Sequence, residues 1–359
     1  MGVLEHWTSV QWLEHYAAAG EAKIVCLATA ANTALLTAGR TIYNPDTGTA
    51  MHIVQQELED TGRSATLTLR CTDGPARLAA RVVMGTVQVQ DAEMGMLAIA
   101  KNNLRGLSMT VDAAAGLAVT VDTQVSWGSV LEGCVALARL SGLGFGCRFE
   151  PYTGTERFFV RQGVDRTAGE AYNGYLGDDV ANLTNLRLTR GASDLYTAAV
   201  VCGEGEGADR AVVTVGEGEG DERRELYVDA RDLTRTGQVA VDTGATDADG
   251  NPIYEYTSVT YTEAEYVALL TARGLEKLAE NGTTLTMTAE AVDGGTLTYG
   301  VDYGVGDILP IKLTKYGVLA AARVTGVKLV YEAGGRKVYP ILGDFKVQAA
   351  AAALNTRTR

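Results

Sequence analysis

The sequence predicts a mainly β protein with an α+β insertion, on three observations. The chain is rich in Thr, Val and Gly and poor in Pro, with 42 Gly and 6 Pro in 359 residues; this composition suits many short strands joined by glycine turns. Strand-like runs fill the first 90 residues and return after residue 282. Strong helical spacing with capping residues in front of it falls between these two blocks. A length of 359 residues corresponds to two or three domains.

Taken in order, Ala22 to Ala30 is apolar and β-branched and predicts a strand, and residues 31 to 39 predict a short helical turn stopped by Gly39. Thr41-Ile42-Tyr43 and Ala50 to Val54 flank Asn44-Pro45-Asp46-Thr47-Gly48, a hairpin with glycine in the left-handed position. Val54 to Leu58 and Ser64 to Cys71 flank a second turn, and the second arm alternates, with Ala65, Leu67, Leu69 and Cys71 facing a core. Antiparallel strands in one block imply a small barrel or sandwich.

Asp91 caps a helix running to Asn103, and Ser129 with Glu132 forms a capping box that opens a helix closed at Ser141-Gly142. Strands are expected at Leu117 to Val121, Phe145 to Glu150, Glu156 to Gln162, Asn182 to Thr189 and Leu195 to Val201. Thr262 and Glu265 open the strongest helix, which stops at Asn281-Gly282. Its Gly274 costs about 1 kcal/mol relative to Ala and so marks the close approach of a neighbour. Four strands follow, Thr284 to Ala291, Leu309 to Tyr316, Val318 to Glu332 and Arg336 to Gly343, with a hairpin turn at residues 332–335. Ala349 to Leu354 reads as an alanine-rich helical turn in a partner-dependent arm.

The side-chain inventory argues against most chemistry. A net charge of −13, from 44 acidic and 31 basic residues, disfavours a surface for nucleic acid or anionic membrane. No apolar run is long enough to span a membrane, and the first residues lack the pattern of a secretory signal, so synthesis in a cytoplasm is expected. Five cysteines without C-x-x-C spacing predict buried thiols. His6, His15 and His52 show no metal-ligand spacing, and no phosphate-binding glycine loop is present. The Gly-Glu repeats at 203–207 and 216–220 read as solvated turns around a strand, and Asp247-Ala248-Asp249-Gly250-Asn251 as an Asp-Gly turn.

Two alternatives remain. Asp229 and Asp232 could serve as an acid–base pair of a carbohydrate-active protein, although a turn with ion pairs to Arg231 or Arg235 fits the local sequence better. Trp7, Trp12 and Trp127 could stack on sugars, although Trp7 and Trp12, with Leu4 and Leu13, fit an anchoring segment packed on a domain. Catalytic, cofactor-binding and metal-binding residues are therefore all expected to be absent, and no cofactor is expected.

The order of the C-terminal segments carries a resemblance. Gly274 to Leu278, Leu285 to Ala289, Tyr303-Gly304-Val305-Gly306-Asp307-Ile308, Ala322 to Val327 and Tyr339-Pro340-Ile341-Leu342-Gly343 follow one another as in phage tail hub proteins, where a Y-x-x-G-D segment leads into strands ending on a P-x-x-G turn. The chain resembles the ReqiPepy-type siphovirus minor tail family, related to baseplate hubs of contractile-tailed phages. The N-terminal Trp segment, Asn182 to Leu186 and the stretch from Gly203 to Asp232 match it in the same order.

That resemblance implies two tube-type β-barrel domains, at 1–90 and at 182–220 with 282–348, a peripheral α+β region at 91–181 with 221–281, and a C-terminal arm at 349–359. It implies a homotrimeric, pseudo-sixfold ring at the virion tail tip. Its partners would be a hexameric distal tail or tube protein, the tape-measure protein's C-terminus and distal receptor-binding or fibre proteins, with DNA passing through unbound. Exposed strand edges, such as that of Ser64 to Cys71, would be covered by neighbouring subunits, and an acidic lumen would repel the DNA backbone. Tyr303, Gly304, Gly306, Asp307, Tyr339, Pro340 and Gly343 are the expected assembly and structural residues, together with Trp7 and Trp12, and Gly304 and Gly306 would permit a tight turn.

Overall fold

The structure, a computed structural model, describes residues 2–4, 6–180, 182–191, 196–246, 252–281, 284–291 and 296–347. The Asp247 to Asn251 turn and the arm at 349–359 lie outside the described residues.

Along the chain come β1 (Trp7–His15), β2 (Glu21–Leu27), α1 (Ala30–Leu35), β3 (Thr41–Asn44), β4 (Thr49–Asp60), β5 (Ala65–Asp73), β6 (Thr86–Asp91), α2 (Ala92–Asn102), β7 (Met109–Val111), β8 (Thr120–Ser126) and α3 (Val130–Ser141). Then follow β9 (Gly144–Glu150), β10 (Thr155–Arg161), β11 (Leu176–Gly177), β12 (Leu183–Gly191), β13 (Ala198–Cys202), β14 (Val212–Gly216), β15 (Glu225–Asp229), β16 (Thr236–Thr246) and β17 (Pro252–Thr260). Last are α4 (Glu263–Glu280), β18 (Thr284–Ala291), β19 (Ile308–Leu313), β20 (Val318–Glu332) and β21 (Gly335–Val347). The protein is mainly β, as its composition predicts. These elements form two compact units, one of residues 1–74, 162–190 and 285–359, the other of 75–161 and 191–284.

The first unit holds an 11-stranded sheet in the order β12-β18-β21-β20-β1-β2-β5-β4-β3, with β19 branching from β20 and β11 from β19. The N-terminal and C-terminal strand blocks meet where β1 pairs with β20, Trp12 opposite Leu329. Trp12, Ile24, Leu67, Leu69, Ile311 and Leu329 belong to one buried cluster, and each fully buried side chain of this size contributes about 1.5–3 kcal/mol. Strand β20 pairs with β21 along one side; along the other it pairs first with β19 (318–323) and then with β1 (326–331). The β20–β21 register shifts between Ala321 and Arg323 and again between Val324 and Gly326, where the partner on the other side changes. Such bulges bend a strand and let it serve two sheets.

Three expectations are revised in this unit. The segment of Trp7 and Trp12, expected to pack on a domain, is itself β1, an interior strand between β20 and β2, and alternation from Val10 to Tyr16 turns Trp12 and Tyr16 into the core. Strand β5 is not an edge, since β2 pairs with it on one side and β4 on the other. The strand expected at Arg336 to Gly343 is found as β21, but the P-x-x-G turn that the resemblance implied at its end is absent: Tyr339 to Gly343 lies mid-strand, with Pro340 opposite Val327 beside a register shift, a position where a missing backbone donor is tolerated.

The second unit carries the long helices. Asp91 caps α2 as expected; of the capping box expected on α3 only the Ser129 half is present, its side chain accepting the Glu132 N–H, and Gly142 closes α3 in the left-handed conformation. Thr262 and Glu265 make a reciprocal capping box on α4. Gly274 on α4 faces Val215 and Val201, whose methyls lie 2.5 and 2.6 Å from where a Cβ would sit; the helix can approach β13 and β14 only because that atom is missing. Strand β8 begins at Thr120, not Leu117, because Gly116 and Ala118 take positive φ and the buried Glu93 carboxylate accepts the Ala115 and Leu117 N–H groups, the latter at 2.7 Å. Residues 75–91 and 198–216 join this unit through β6 pairing with β8 and β16, and β13 with β14 and β15.

Candidate functional site

The Tyr303 to Asp307 segment forms a buried junction in the first unit. Asp302 accepts the Thr298 N–H at 2.8 Å and Gly300 N–H donates to the Tyr303 carbonyl at 2.9 Å, a tight loop that brings Tyr303 against Tyr299 with ring centroids 5.7 Å apart. Tyr303 is 2% exposed and Asp307 6%. One Asp307 oxygen accepts from Val164 N–H at 2.8 Å; the other accepts from Arg166 Nε at 2.6 Å and from Gly304 N–H at 2.9 Å. Burial without such partners would be prohibitive for a carboxylate; here one cation and two backbone donors compensate it.

Gly306 holds the second half of the junction. Its N–H donates to Val324 O at 2.8 Å and its carbonyl accepts from Arg323 Nη1 at 2.8 Å. Its φ is +102°, and a Cβ would lie 2.3 Å from the Tyr16 ring. Tyr16 accepts the Gly163 N–H at 2.9 Å, and the Arg323 guanidinium lies 5.1 Å from the centre of its ring. Gly163 has the same requirement in reverse, since a Cβ there would meet the Gly306 carbonyl oxygen at 1.9 Å. Gly304 carries no such constraint: its φ is not positive and nothing lies within 4 Å of its Cβ position. The turn therefore depends on Gly306 and not on the expected pair.

The remaining expected residues lie on β21 and β1. Gly343 pairs with Arg323 across β21 and β20, and Pro340 is buried. Tyr339 donates to Glu290 at 3.3 Å, a carboxylate also held by Lys337 at 3.1 Å and Asn185 at 2.7 Å. Trp12 Nε1 donates to Thr49 at 3.2 Å and to Glu14 at 3.3 Å, and Glu14 accepts from Tyr299 at 3.4 Å, a chain of contacts leading to Tyr303. Trp7 is 42% exposed at the start of β1, away from this chain. Tyr16, Gly163, Arg166 and Arg323 were missed by sequence reasoning, and no local pattern marks them, because each acts on a residue more than 15 positions away.

The carboxylates considered for acid–base work are held by arginines. Asp229 accepts from Arg231 at 2.6 Å and Arg210 at 3.0 Å, and the Arg231 hydrogen bond holds its carboxyl well below the usual range, at about 2. Asp232 takes both Arg273 nitrogens at 3.1 Å. The expected Arg235 partner pairs instead with Glu263 and Glu204, because the capped start of α4 places Glu263 beside it. A general acid needs a raised pKa, and Asp229 has the opposite. Among the described residues no three His, Cys, Asp or Glu side chains are grouped so as to hold a metal ion, and no helix is long and apolar enough to cross a membrane.

The profile of the siphovirus ReqiPepy6 Gp37-like protein family matches residues 1–344. The chain belongs to that family. Among curated protein sequences there is no significant match. Among solved structures, the tail protein from Neisseria meningitidis MC58 is similar at 15% identity and TM-score 0.53, covering 94% of this chain and 92% of that one. The prophage MuSo2 43 kDa tail protein from Shewanella oneidensis is similar at 13% identity and TM-score 0.50, covering 94% and 93%. These two place the family member in the fold of phage tail proteins. A weaker similarity, at 11% identity and TM-score 0.45, covers 94% of this chain and 74% of an E. coli type VI secretion component described as similar to the T4 tail proteins gp27 and gp5. In this tail family member, Tyr303, Gly306 and Asp307 thus sit in a junction that holds strands together.

Proposed function

We propose that this chain is the structural hub of a phage or phage-like tail tip, a homotrimer whose pseudo-sixfold ring caps or extends the tail tube and connects it to distal host-recognition components. The observation that carries this reading is one sheet fed by both ends of the chain, in a family member that matches tail proteins over nearly its whole length. The two arms of that sheet, β1 to β5 on one side and β18 to β21 with β12 on the other, are the two tube-type domains of the ring. The second unit is its peripheral α+β region. The chain has a structural role and no catalysis of its own, and it resides at the virion tail tip after synthesis in the host cytoplasm. A hexameric tube protein, the tape-measure C-terminus and distal fibre or receptor-binding proteins are its partners.

Most of the acidic surplus lies in the second unit. The first unit holds 18 acidic and 16 basic residues, the second 26 and 15. A ring built from the first unit lacks a basic surplus, which lets DNA pass unbound.

Sedimentation and negative-stain imaging of the purified chain test the proposal. The expected result is a particle of three times the 37.9 kDa chain mass with threefold symmetry. A stable monomer that binds or hydrolyses glycans would overturn it in favour of a carbohydrate-directed protein, for which Trp127, 65% exposed, is one stacking surface.

A further inference from the structure

Among the described residues, the main path of the 11-stranded sheet ends in two open edges of opposite charge, besides the two-residue β11 that branches off through β19. At one end β3 covers only Thr49 to His52 of β4, and the last cover on that side is a pair of backbone hydrogen bonds at Ile53, with Gly39 and Arg40. Beyond it, Gln55 to Asp60 pairs with β5 on its inner side, and among the described residues no strand lies on its outer side. This stretch carries Glu57, Glu59 and Asp60 and no basic residue, and its Leu58 is 58% exposed. At the other end, β12 pairs inward with β18 and has no outer partner strand among the described residues. Its sequence, Leu-Thr-Asn-Leu-Arg-Leu-Thr-Arg-Gly, holds two arginines and no acid, and Arg187 is exposed.

An unpaired strand edge presents a row of backbone donors and acceptors that invites another strand, and a lone edge is normally blunted. Two edges of the same sheet with opposite charge satisfy each other when copies meet head to tail, whereas each repels its own kind. Head-to-tail contacts close into rings or run on as filaments. We infer that the acidic outer edge of β4 in one copy pairs with the basic outer edge of β12 in the next, so that a second copy of this chain continues the sheet. The inference rests on the ring proposed above and names the surfaces that close it.

Charge reversal in the full-length chain tests it. Arg187→Glu alone, or Glu57→Arg with Glu59→Arg, should reduce the particle to the one-chain mass at a concentration where the unaltered chain is a ring. The three changes together restore complementarity and should restore the ring mass, while Arg187→Lys should keep it. All these side chains are exposed, so the thermal midpoint of each variant should match the unaltered chain, and a circular dichroism melt checks this. If the unaltered chain is monomeric, the ring proposal fails and the edge pairing with it. If the unaltered chain is a ring and folded variants keep its mass, or the triple change stays dissociated, the edge pairing alone is overturned.

Discussion

Asp307 and Arg166, 141 residues apart in the chain, meet at 2.6 Å with the carboxylate 6% exposed. This pair ties the segment entering the first unit at residue 162 to the turn that starts β19, and Val164 and Ile308 extend the tie through the backbone.

Removing one partner of a buried pair leaves the other unpaired and costs about 3–5 kcal/mol. Asp307→Ala should therefore lower the unfolding free energy by that amount, read as a lower urea midpoint, and Asp307→Lys, which sets a second cation beside Arg166, should abolish assembly. An unchanged midpoint for Asp307→Ala would remove the pair from the account of stability.

Gly306→Ala should be severe and Gly304→Ala mild. The first forces a side chain into positive φ, a strain of about 1–3 kcal/mol, and drives a methyl into the Tyr16 ring. The second meets nothing and should stay within about 0.5 kcal/mol. Equal melting temperatures for the two variants would refute the assignment.

On α4, Gly274→Ala sets two effects against each other. Helix propensity favours Ala by about 1 kcal/mol, but overpacking against Val201 and Val215 costs about 1–3 kcal/mol. The variant should melt lower than the parent, and adding Val215→Ala should recover part of the loss. A variant that melts higher would show that the helix can move away.

Burial lowers the His15 pKa below 6.5, against the opposing effects of the Thr325 backbone and Glu21. A base with a depressed folded pKa is protonated first in the unfolded chain. Stability should thus be full above about pH 6.5 and fall as the pH drops below it. His15→Gln should flatten that limb of a pH series of unfolding midpoints; an identical slope in the variant would exclude His15 as its source.

Burial pushes the Cys71 thiol up to about 12 and raises Cys26 and Cys134 as well, whereas Cys147 is half-buried. A thiol reagent should label Cys147 first in the native protein and the four buried thiols, Cys26, Cys71, Cys134 and Cys202, only on unfolding. Peptide mapping after a short exposure checks the order.

Local chemistry was legible in the sequence. The Asp91, Ser129 and Thr262 caps, the Gly48 and Gly62 hairpins, the inward Leu67 and Leu69 and the close approach at Gly274 each depend on neighbours or on a face set by periodicity, and each is found where the residues predict. The junction was only half legible: Gly306 and Asp307 stand out in the sequence, but Tyr16, Gly163, Arg166 and Arg323 do not.

The sequence by itself determined a mainly β chain, its helices and their caps, the family, and a poor supply of catalytic histidine or metal-ligand spacing. Tertiary structure decided which strands are neighbours. It joined β1 to β20, enclosed β5 and divided the charge between the two units. The physical reason is that caps and hairpins are fixed by interactions a few residues long, whereas strand order and buried ion pairs are fixed by contacts hundreds of residues apart, which no local pattern records.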